Sequence, residues 1–419
     1  MLRFIPLFLF LVLNTLTAQD TLTLLQYNLL MYGNNFGGCN NSNNNVQEKN
    51  EALRTIVEYV KPDLVFVNEL DEESYYHDLI LNDVFNVDGT ALWARGSVSN
   101  LGNSYTVNQA YYRTDKVELS GYTAVQTNVR DIDIFRFSVF SSTGNPAELN
   151  CCVAHLKAGS DPDNVQERGY EANKLMNYLN NSASDGNYTF SGDFNLYSAS
   201  EPAWENLLNY ANADIRFYDP LNRPGNWNNN PAFADIHTQS THYDGNCFSG
   251  GGMDDRFDFF LLSEEVLLGS ERIQYLEGSY HALGQDGQHF NLSITSSPLN
   301  TSVPAEVLQA LYQMSDHLPV VIRLVIDPNL SIAEQTGEPF NFRIGFTAPK
   351  QLTLTPVDAS PGKYQAQIVN MTGNVLKTSS WSTWSGAEWV IDAGRLPTGF
   401  YLMVIEGQQG TAVRKIIID

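Results

Sequence analysis

Several polar side chains stand at the carboxyl ends of segments that read as buried strands. They are Asn28 in "LLQYN", Glu69 in "VFVNE", His155 in "CCVAH", and Asp193 with Asn195 in "FSGDFN". Carboxylate and amide oxygens are hard ligands that suit Mg²⁺, and imidazole exchanges protons near neutral pH. An ordinary polar strand end explains any one of them. Because strand ends of α/β folds converge at one edge of a sheet, the whole set predicts one metal-assisted catalytic site.

A further strand contributes from its opposite end. In "QMSDHLPVVIRL", Asp316 and His317 precede Pro319 and an apolar run that predicts a buried strand. Asp316 offers another oxygen ligand for a metal ion, and His317 offers a proton acceptor. A polar turn before a strand explains the pair when it is taken alone. Together with the other strand ends, the pair predicts that a metal and a base meet here.

The segments that must position these residues follow a regular order. Apolar alternation predicts strands in "LTLLQYNLLMY", "LVFVNEL", "ELNCCVAHLKAG", "YTFSGDFN", "RFDFFLLS" and "DHLPVVIRLVI", and helical spacing predicts helices in "VQEKNEALRTIVEYVKPD", "NVQERGYEANKLMNYL" and "ASEPAWENLLNYA". This order predicts two packed mixed sheets flanked by helices. From about residue 328 onward, short strands and turns without a helix signal predict a small all-β region.

Taken together, these segments resemble the endonuclease/exonuclease/phosphatase superfamily over roughly residues 21–326. The matching pieces are "QYN", "VNE", "AYYRTDKV", "VAHLKAG", "SGDFN", "DRFDFFLLS" and "SDHLPV". The resemblance implies an α+β fold, namely a four-layer α-β-β-α sandwich, and metal-assisted cleavage of a phosphate ester. We therefore expect a catalytic domain over residues 20–327.

The resemblance also implies a metal site and an acid–imidazole pair. Asn28, Glu69 and Asp316 are expected to hold Mg²⁺, with Mn²⁺ or Ca²⁺ as alternatives. His317 needs a carboxylate that fixes its tautomer, and by resemblance this carboxylate is Asp258 in "RFDFFLLS". The ion would polarise a phosphoryl oxygen and steady the leaving group.

The remaining catalytic roles are implied less completely. Asp193 and Asn195 are expected to hold and activate the attacking water, and the general base is either Asp193 or His317. His155 is expected to donate to a phosphate oxygen or to protonate the leaving group. In pancreatic-type enzymes of this superfamily the matching histidine leans on a glutamate, but the corresponding stretch "WARGSVSNLGNSYTVNQ" contains no acid. The partner of His155 therefore stays open.

Two more residues are candidates for substrate contact. Arg113 in "YYRTDK" could meet a phosphate, and a salt bridge at the strand edge is an equal alternative. Thr241 lies in "HTQSTHYDG", a polar stretch shortly before Asp258, and we expect this stretch to contact substrate. We expect His281 and His289 to be plain loop residues.

Both ends of the chain predict export. The N-terminus "MLRFIPLFLFLVLNTLTAQD" has one Arg, an apolar run and small residues near Ala18, which is typical of a secretory signal peptide over residues 1–19. The stretch over residues 335–419, with "VNMTGNVL" and "LPTGFYLMVIE", resembles the type A C-terminal sorting domain of bacterial type IX secretion; a carbohydrate-binding or adhesive β-sandwich is the alternative. We therefore expect a monomer that is exported through the periplasm, engages the type IX machinery and inserts no stable segment into the membrane.

The four cysteines agree with an oxidising destination. Cys39 and Cys247 both lie in loops rich in Gly and Asn, so we expect them to form a disulfide. Neighbouring residues of a strand point to opposite faces, so Cys151 and Cys152 are not expected to bond each other.

Composition limits the substrate without deciding it. The 419 residues carry a formal net charge of -23, which repels nucleic acids at long range, although a bound metal ion supplies local positive charge. We expect a secreted nuclease or phosphodiesterase acting on nucleic acid. The alternatives are a phosphatase or sphingomyelinase-like enzyme and a non-catalytic adhesion protein. The polar insertions, without exposed apolar runs, count against a lipid substrate.

Overall fold

The computed structural model describes residues 20–89, 91–142, 144–182, 186–327, 342–348, 350–356, 362–370, 374–381, 389–397, 399–407 and 410–418. The predicted signal peptide, residues 1–19, and the segment between the two predicted domains lie outside these residues. Within the described ranges, no helix combines the length and the apolarity that a membrane crossing requires.

Strands are interspersed with helices among the described residues from 20 to 327. The strands are β1 (Thr21–Tyr32), β2 (Leu64–Asp71), β3 (Trp93–Arg95), β4 (Thr106–Arg113), β5 (Val117–Val125), β6 (Ile132–Val139), β7 (Ala147–His155), β8 (Tyr188–Asp193), β9 (Phe217–Tyr218), β10 (Asp258–Ser263), β11 (Ile273–Tyr275), β12 (His281–Ala282) and β13 (Val320–Ile326). The α-helices are α1 (Val46–Val60), α2 (Ser74–Ile80), α3 (Pro162–Ser182), α4 (Pro202–Leu208), α5 (Glu264–Leu268) and α6 (Ala305–Met314).

The strands form two mixed sheets with the same internal plan. The first sheet has the order β11-β13-β1-β2-β4-β3, with β12 beside β13, and the second has the order β5-β6-β7-β8-β10-β9. In the first sheet β1 and β2 run parallel between antiparallel neighbours, β13 and β4. In the second, β7 and β8 run parallel between β6 and β10. The predicted pair of mixed sheets is confirmed.

Apolar side chains divide into three cores, which define four layers. The inner core joins Leu24 and Phe66 of the first sheet to Phe135 and Phe260 of the second. The outer face of the first sheet is covered by α1, α2 and α6, and the outer face of the second by α3 and α4. Strands covered on both faces read as continuous apolar runs, and each fully buried Leu or Phe contributes about 1.5–3 kcal/mol. The predicted α-β-β-α sandwich is confirmed.

Strand direction explains why polar residues collect at one edge. The carboxyl ends of β7 and β8 meet there, with His155 beside Asp193. Because β10 runs antiparallel to β8, it begins at this edge and places Asp258 beside Asp193. In the first sheet β13 runs antiparallel to β1, so the residues just before β13, including His317, lie near the end of β1. An acid and an imidazole therefore precede a buried strand because that strand starts where its neighbours end.

Gly192 allows β8 to approach β7 closely just before Asp193. Its φ is +145°, and a Cβ atom added there would lie 1.7 Å from the carbonyl oxygen of Ala154. No larger residue fits without moving the backbone, so this glycine fixes the spacing of the two strand ends that carry His155 and Asp193.

The C-terminal region is all-β, as predicted. Its described strands are β14 (Phe342–Ala348), β15 (Gln351–Pro356), β16 (Tyr364–Asn370), β17 (Val375–Trp381), β18 (Trp389–Asp392), β19 (Gly399–Gly407) and β20 (Gly410–Ile418). They form two antiparallel sheets, β14-β15-β18 and β17-β16-β19-β20. The two sheets share a core of their own, which includes Leu352, Ile368 and Met403.

The cysteines behave as the sequence predicts. Cys39 and Cys247 form a disulfide between the loop after β1 and the loop before β10. Cys151 and Cys152 are free and buried within β7. The disulfide therefore joins two loops that both border the polar edge.

Candidate active site

The amide of Asn28 links the two sheets at the polar edge. Its Nδ2 donates to Glu69 Oε1 at 3.0 Å within the first sheet and to Asp193 Oδ2 at 2.9 Å in the second. The same nitrogen lies 3.4 Å from His317 Nε2. All four side chains are buried, so their contacts are shielded from water and from salt.

Two residues of these strand ends have an irregular backbone conformation. Glu69 and Asn195 have φ values of 57° and 51°, in the left-handed region that residues with a Cβ rarely adopt. The register of β2 against β4 shifts between Val67 and Leu70, and that of β1 against β2 shifts between Asn28 and Tyr32. Residues in such conformations persist only where surrounding contacts hold them, and they gather at functional sites.

His317 and Asp258 form the pair that the sequence predicts. His317 Nδ1 lies 2.7 Å from Asp258 Oδ2, and both residues are buried. The backbone N–H of Asp258 donates to Thr238 Oγ1 at 3.1 Å, which fixes the start of β10. Because Asp258 engages Nδ1 of the imidazole, His317 Nε2 is directed toward Asp193, whose Oδ2 is 3.7 Å away.

Gln239 reaches the same imidazole, although its sequence context gives no signal for it. Its Nε2 lies 2.7 Å from His317 Nε2 and 3.2 Å from Asp316 Oδ2. A neutral imidazole accepts from this amide, whereas an imidazolium needs the amide oxygen in its place, so rotation of the amide serves both states. Asp316 Oδ2 also accepts from the backbone N–H of Ser249 at 2.8 Å. The loop before β10 therefore holds both Asp316 and His317 in place.

The charges in the cluster shift the pKa values of Asp193 and His317 upward. Burial raises the pKa of Asp193 to about 7, and the carboxylates of Asp258 and Glu69 add to this effect against the opposing influence of His317. Burial by itself lowers the pKa of His317. The carboxylates of Asp258 and Asp193 outweigh burial and raise that pKa well above its ordinary value. Negative charge thus exceeds positive charge in this part of the molecule.

His155 finds its acidic neighbours inside the cluster. Its Nδ1 lies 3.8 Å from Glu69 Oε1, and its Nε2 lies 3.5 Å from Asp193 Oδ2. Burial lowers its pKa well below the ordinary value, and the nearby guanidinium of Arg130 lowers it further. Arg130 itself donates to the backbone carbonyl of His155 at 2.8 Å. His155 is therefore a neutral imidazole at physiological pH.

Asn195 turns the chain directly after Asp193. Its backbone N–H donates to Asp193 Oδ1 at 3.0 Å, and its side-chain Nδ2 donates to the carbonyl of Leu156 at 3.3 Å. The contact to Leu156 ties the end of β8 to the end of β7. Asp193 keeps Oδ2 directed toward Asn28 and the two imidazoles.

The side chains of this cluster include ligands suited to a divalent metal ion. Two groups of ligands come into question, and Glu69 belongs to both. Among the described residues, ligand atoms of Glu69, His155 and Asp193 lie within 4.8 Å of one another. The sequence instead groups Glu69 with Asn28 and Asp316. Asp316 Oδ1 and His155 Nδ1 are both buried, and neither has a hydrogen-bond partner in the part of the chain that the structure describes. Unpaired buried atoms of these two kinds are what a metal ion or a phosphate oxygen would satisfy.

Two residues predicted to contact substrate do not join this cluster. Arg113 pairs with Asp115 at 2.6 Å and lies at the end of β4 beside the start of β2, away from Glu69. Thr241 is fully buried, and its hydroxyl donates to the carbonyl of Ser315 at 2.7 Å. Arg113 thus forms the salt bridge that the sequence offered as its alternative, and Thr241 has a structural partner and no exposed face toward a ligand.

The other histidines of the insertions are structural as well. His242 is stacked between Phe248 and Tyr312, with ring centroids 3.8 Å away on each side. His237 Nε2 lies 2.9 Å from the carbonyl of Trp227, and His289 is buried against Asp286. His281 and His289 were both expected to be plain loop residues, but His281, although exposed, lies in β12, and His289 lies in a loop but is buried.

One region of the chain matches a known family. Residues 348–419 match the family described as the secretion system C-terminal sorting domain. The C-terminal region is thus similar to secretion sorting domains. This match indicates export by type IX secretion to the cell surface or the extracellular space.

Solved structures similar to this chain were also found. An endonuclease/exonuclease/phosphatase from Beutenbergia cavernae shares 15% sequence identity with a TM-score of 0.46, covering 95% of this chain and 99% of that chain. D. rerio TDP2 complexed with single strand DNA product shares 16% identity with a TM-score of 0.46, covering 73% and 99%. An endonuclease/exonuclease/phosphatase family protein from Bacteroides thetaiotaomicron shares 14% identity with a TM-score of 0.45, covering 74% and 97%. A comparison with curated proteins found no match.

Proposed function

We propose that the chain is a secreted, divalent-metal-dependent hydrolase of phosphate esters that acts on nucleic acid as an endonuclease or phosphodiesterase. One observation carries the proposal: four buried carboxylates and two imidazoles share one edge of the two sheets. They are Glu69, Asp193, Asp258, Asp316, His155 and His317. Burying several acids without matching cations is costly, and a divalent ion relieves that cost. The same ion then attracts a phosphate.

We propose Glu69 as the main metal ligand, with Asn28 and Asp316 as further ligands. The bound ion would polarise a phosphoryl oxygen and stabilise the leaving oxygen. Asn28 donates its Nδ2 to Glu69 Oε1, while Asn28 Oδ1 and Glu69 Oε2 each accept one backbone N–H and keep a second lone pair that could bind an ion. The partnerless Oδ1 of Asp316 supports its place in this set.

Proton transfer is assigned to Asp193 and His317 as one unit. Their facing atoms are 3.7 Å apart, beyond direct hydrogen-bond distance, so one attacking water in contact with both would lose its proton to Asp193 or to His317. Asp258 holds the opposite nitrogen of the imidazole and fixes its orientation. His155 is neutral, and its N–H can donate to a phosphate oxygen or to the leaving group. Asn195 keeps Asp193 in place through its backbone N–H.

A substrate panel tests the proposal. The purified protein is given plasmid DNA, RNA, sphingomyelin and a bis-aryl phosphodiester, each with Mg²⁺ and with EDTA. We expect hydrolysis of DNA or RNA with Mg²⁺ and none with EDTA. Hydrolysis of sphingomyelin alone would reassign the enzyme to lipids. Inactivity toward the whole panel would favour an adhesion protein on the same fold.

A further inference from the structure

The chain bends sharply directly after Asn28, and the bend presents two backbone donors to the site. Leu30 and Met31 both have φ of 47°, a left-handed conformation that costs energy in residues with a Cβ. The N–H of Leu30 donates to Asn28 Oδ1 at 2.9 Å, and the N–H of Met31 donates to Glu69 Oε2 at 3.0 Å. The bend therefore fixes an oxygen of each of two candidate metal ligands.

Two buried polar side chains hold the other side of the bend. Asn44 Nδ2 donates to the carbonyls of Leu30 and Met31 at 3.1 and 3.0 Å. Lys49 Nζ donates to the carbonyl of Leu30 at 2.8 Å and to Asn44 Oδ1 at 2.6 Å. The two carbonyls thus point away from the site while the two N–H groups point into it. Neither Asn44 nor Lys49 touches a candidate ligand itself.

Burying a lysine next to the Leu30–Met31 bend carries a desolvation cost. Lys49 is 2% exposed, so its ammonium group gives up most of its hydration. A Met side chain would fill a similar volume without that cost. Burial lowers the pKa of Lys49 to about 7, and the negative charges of Asp316 and Glu69 oppose this lowering. Position and charge together indicate that the residue serves the carboxylate cluster and not packing alone.

We propose that Asn44 and Lys49 are positioning residues for the divalent-metal site, which lock the Leu30–Met31 bend and thereby orient Asn28 and Glu69. This inference rests on the proposed function. Partners behind the ligands of a metal site commonly change metal affinity or activity by about 10- to 100-fold when they are replaced. The bend acts here as the link between those partners and the ligands.

The test compares three variants of the full chain. Asn44→Ala removes the two hydrogen bonds that Asn44 donates to the bend, and Lys49→Met removes the ammonium group, and its hydrogen bond to Leu30, with little change of volume. Asn50→Ala is the matched control, since Asn50 is the next residue on α1 and is 3% exposed. Asn50 contacts Tyr32 and Asp83 instead of the bend. Lys49→Arg restores charge and donors, and it serves as the rescue.

Two readouts separate positioning from general stability. The affinity for Mn²⁺ alone is measured by electron paramagnetic resonance of the free ion, and we expect it to fall about 10- to 100-fold in Asn44→Ala and Lys49→Met. Hydrogen exchange of the metal-free protein is expected to speed up at Leu30 and Met31 in the same variants. We expect Asn50→Ala to lower the melting temperature while leaving both readouts at the values of the wild type. Lys49→Arg should lie closer to the wild type than Lys49→Met.

The outcomes separate this inference from the proposed function. If the wild type binds no Mn²⁺, the metal-dependent function and the positioning role both fall. If the wild type binds Mn²⁺ and the folded variants bind it equally well, only the positioning role is overturned. An equal loss of affinity in Asn50→Ala would also overturn it, because the effect would then be one of stability. Should Asn44→Ala not fold, Lys49→Met and Lys49→Arg decide the matter.

Discussion

Arg256 and Asp258 are two residues apart at the start of β10, yet they enter different buried clusters. The guanidinium of Arg256 donates to both oxygens of Asp219 at 2.9 and 2.8 Å. It also lies over the ring of Phe259, 4.3 Å from the ring centroid. Arg256 is fully buried and Asp219 nearly so. In this cluster one positive charge meets one negative charge in a bidentate pair.

Asp258 joins a cluster in which charges do not balance. Four carboxylates and two imidazoles share it, and His155 is neutral. Several polar atoms here have no hydrogen-bond partner among the described residues, including Oδ1 of Asp258 and Oδ1 of Asp316. The Arg256 pair balances its charges within the protein, although Arg256 Nε also has no hydrogen-bond partner among the described residues. The Asp258 cluster has no such balance, and under the proposed function a bound cation would supply it. We therefore take the balance of buried charge, and not the number of unpaired atoms, as the difference between the two clusters.

Replacement of Glu69 should have the largest effect on activity. Glu69→Gln keeps the size of the side chain but removes the charge that all arrangements of the metal site share. We expect hydrolysis to fall on the order of 10³-fold or more, because metal stabilisation of the transition state contributes several kcal/mol. Steady-state rates with saturating Mg²⁺ measure the loss. Glu73→Gln changes an exposed acid in the turn between β2 and α2, and it is the control.

The stability of Glu69→Gln decides what that loss means. We expect its melting temperature to stay near that of the wild type. A fall in stability that matches the fall in activity would make Glu69 structural, and full activity of the wild type in EDTA would refute the metal site.

The Asp258–His317 pair should behave as a unit. We expect Asp258→Asn to slow hydrolysis nearly as much as His317→Ala, on the order of 10²- to 10³-fold, because each change disables the same imidazole. The double variant should be hardly slower than either single variant. Rates of the three variants under one condition provide the test. Losses that multiply would mean that the 2.7 Å contact has no part in catalysis.

The closed cluster should respond in stability instead of rate. Asp219→Ala leaves Arg256 buried without its carboxylate, and we expect a loss of about 3–5 kcal/mol in the free energy of unfolding. Urea unfolding measures this loss, and kcat of the folded fraction at low temperature should be unchanged. Replacing both partners by apolar residues should regain most of the stability. A large fall in kcat would break the distinction between the two clusters.

Asp133 provides a pH test of a buried acid outside both clusters. It accepts from Asn108 at 2.9 Å and from Tyr122, and burial raises its pKa to about 7. An unfolded Asp ionises near its ordinary value, so between pH 4 and 7 the folded chain binds more protons and stability falls as pH rises. We expect the decline to total a few kcal/mol. Asp133→Asn should flatten this slope, and an unchanged slope would exclude Asp133 as its source.

The sequence revealed the site where residue type and strand end coincide. His155 ends β7, and Asn28 and Glu69 lie four and two residues before the ends of β1 and β2, so their meeting could be predicted from strand direction alone. Gln239 could not, because nothing in a polar insertion says which amide turns back toward an imidazole. For Arg113 the sequence shows a strand end but does not show which edge of the sheet that end reaches. The antiparallel pairing of β4 with β2 places Arg113 at the edge opposite to Glu69.

Supporting residues were harder still to predict. Asn44 is one of many asparagines in "GNNFGGCNNSNNN", and Lys49 sits on a helix where a lysine is expected to face water. Their function depends on the left-handed bend at Leu30 and Met31, which has no glycine to announce it. Local propensity describes each segment, whereas these contacts arise between segments that fold onto each other.

The C-terminal region should have the smallest effect on chemistry and a large one on delivery. Within its described residues, no group of His, Cys, Asp or Glu side chains is close enough to hold a metal ion, and its core is separate from the three cores of the sandwich. A chain ending at Asp327 keeps the contact of that residue with Arg272 at 2.7 Å, so the edge of the sandwich stays intact.

We expect this chain to hydrolyse substrate with the kcat of the full protein, and in the native host to remain in the periplasm. Activity of both purified forms and fractionation of cells provide the two measurements. Folded but inactive protein would place part of the site in the C-terminal region, and unimpaired surface delivery would make that region a binding module. Equal kcat together with lost delivery would mean that the sandwich, which holds the unbalanced charge cluster, is sufficient for catalysis.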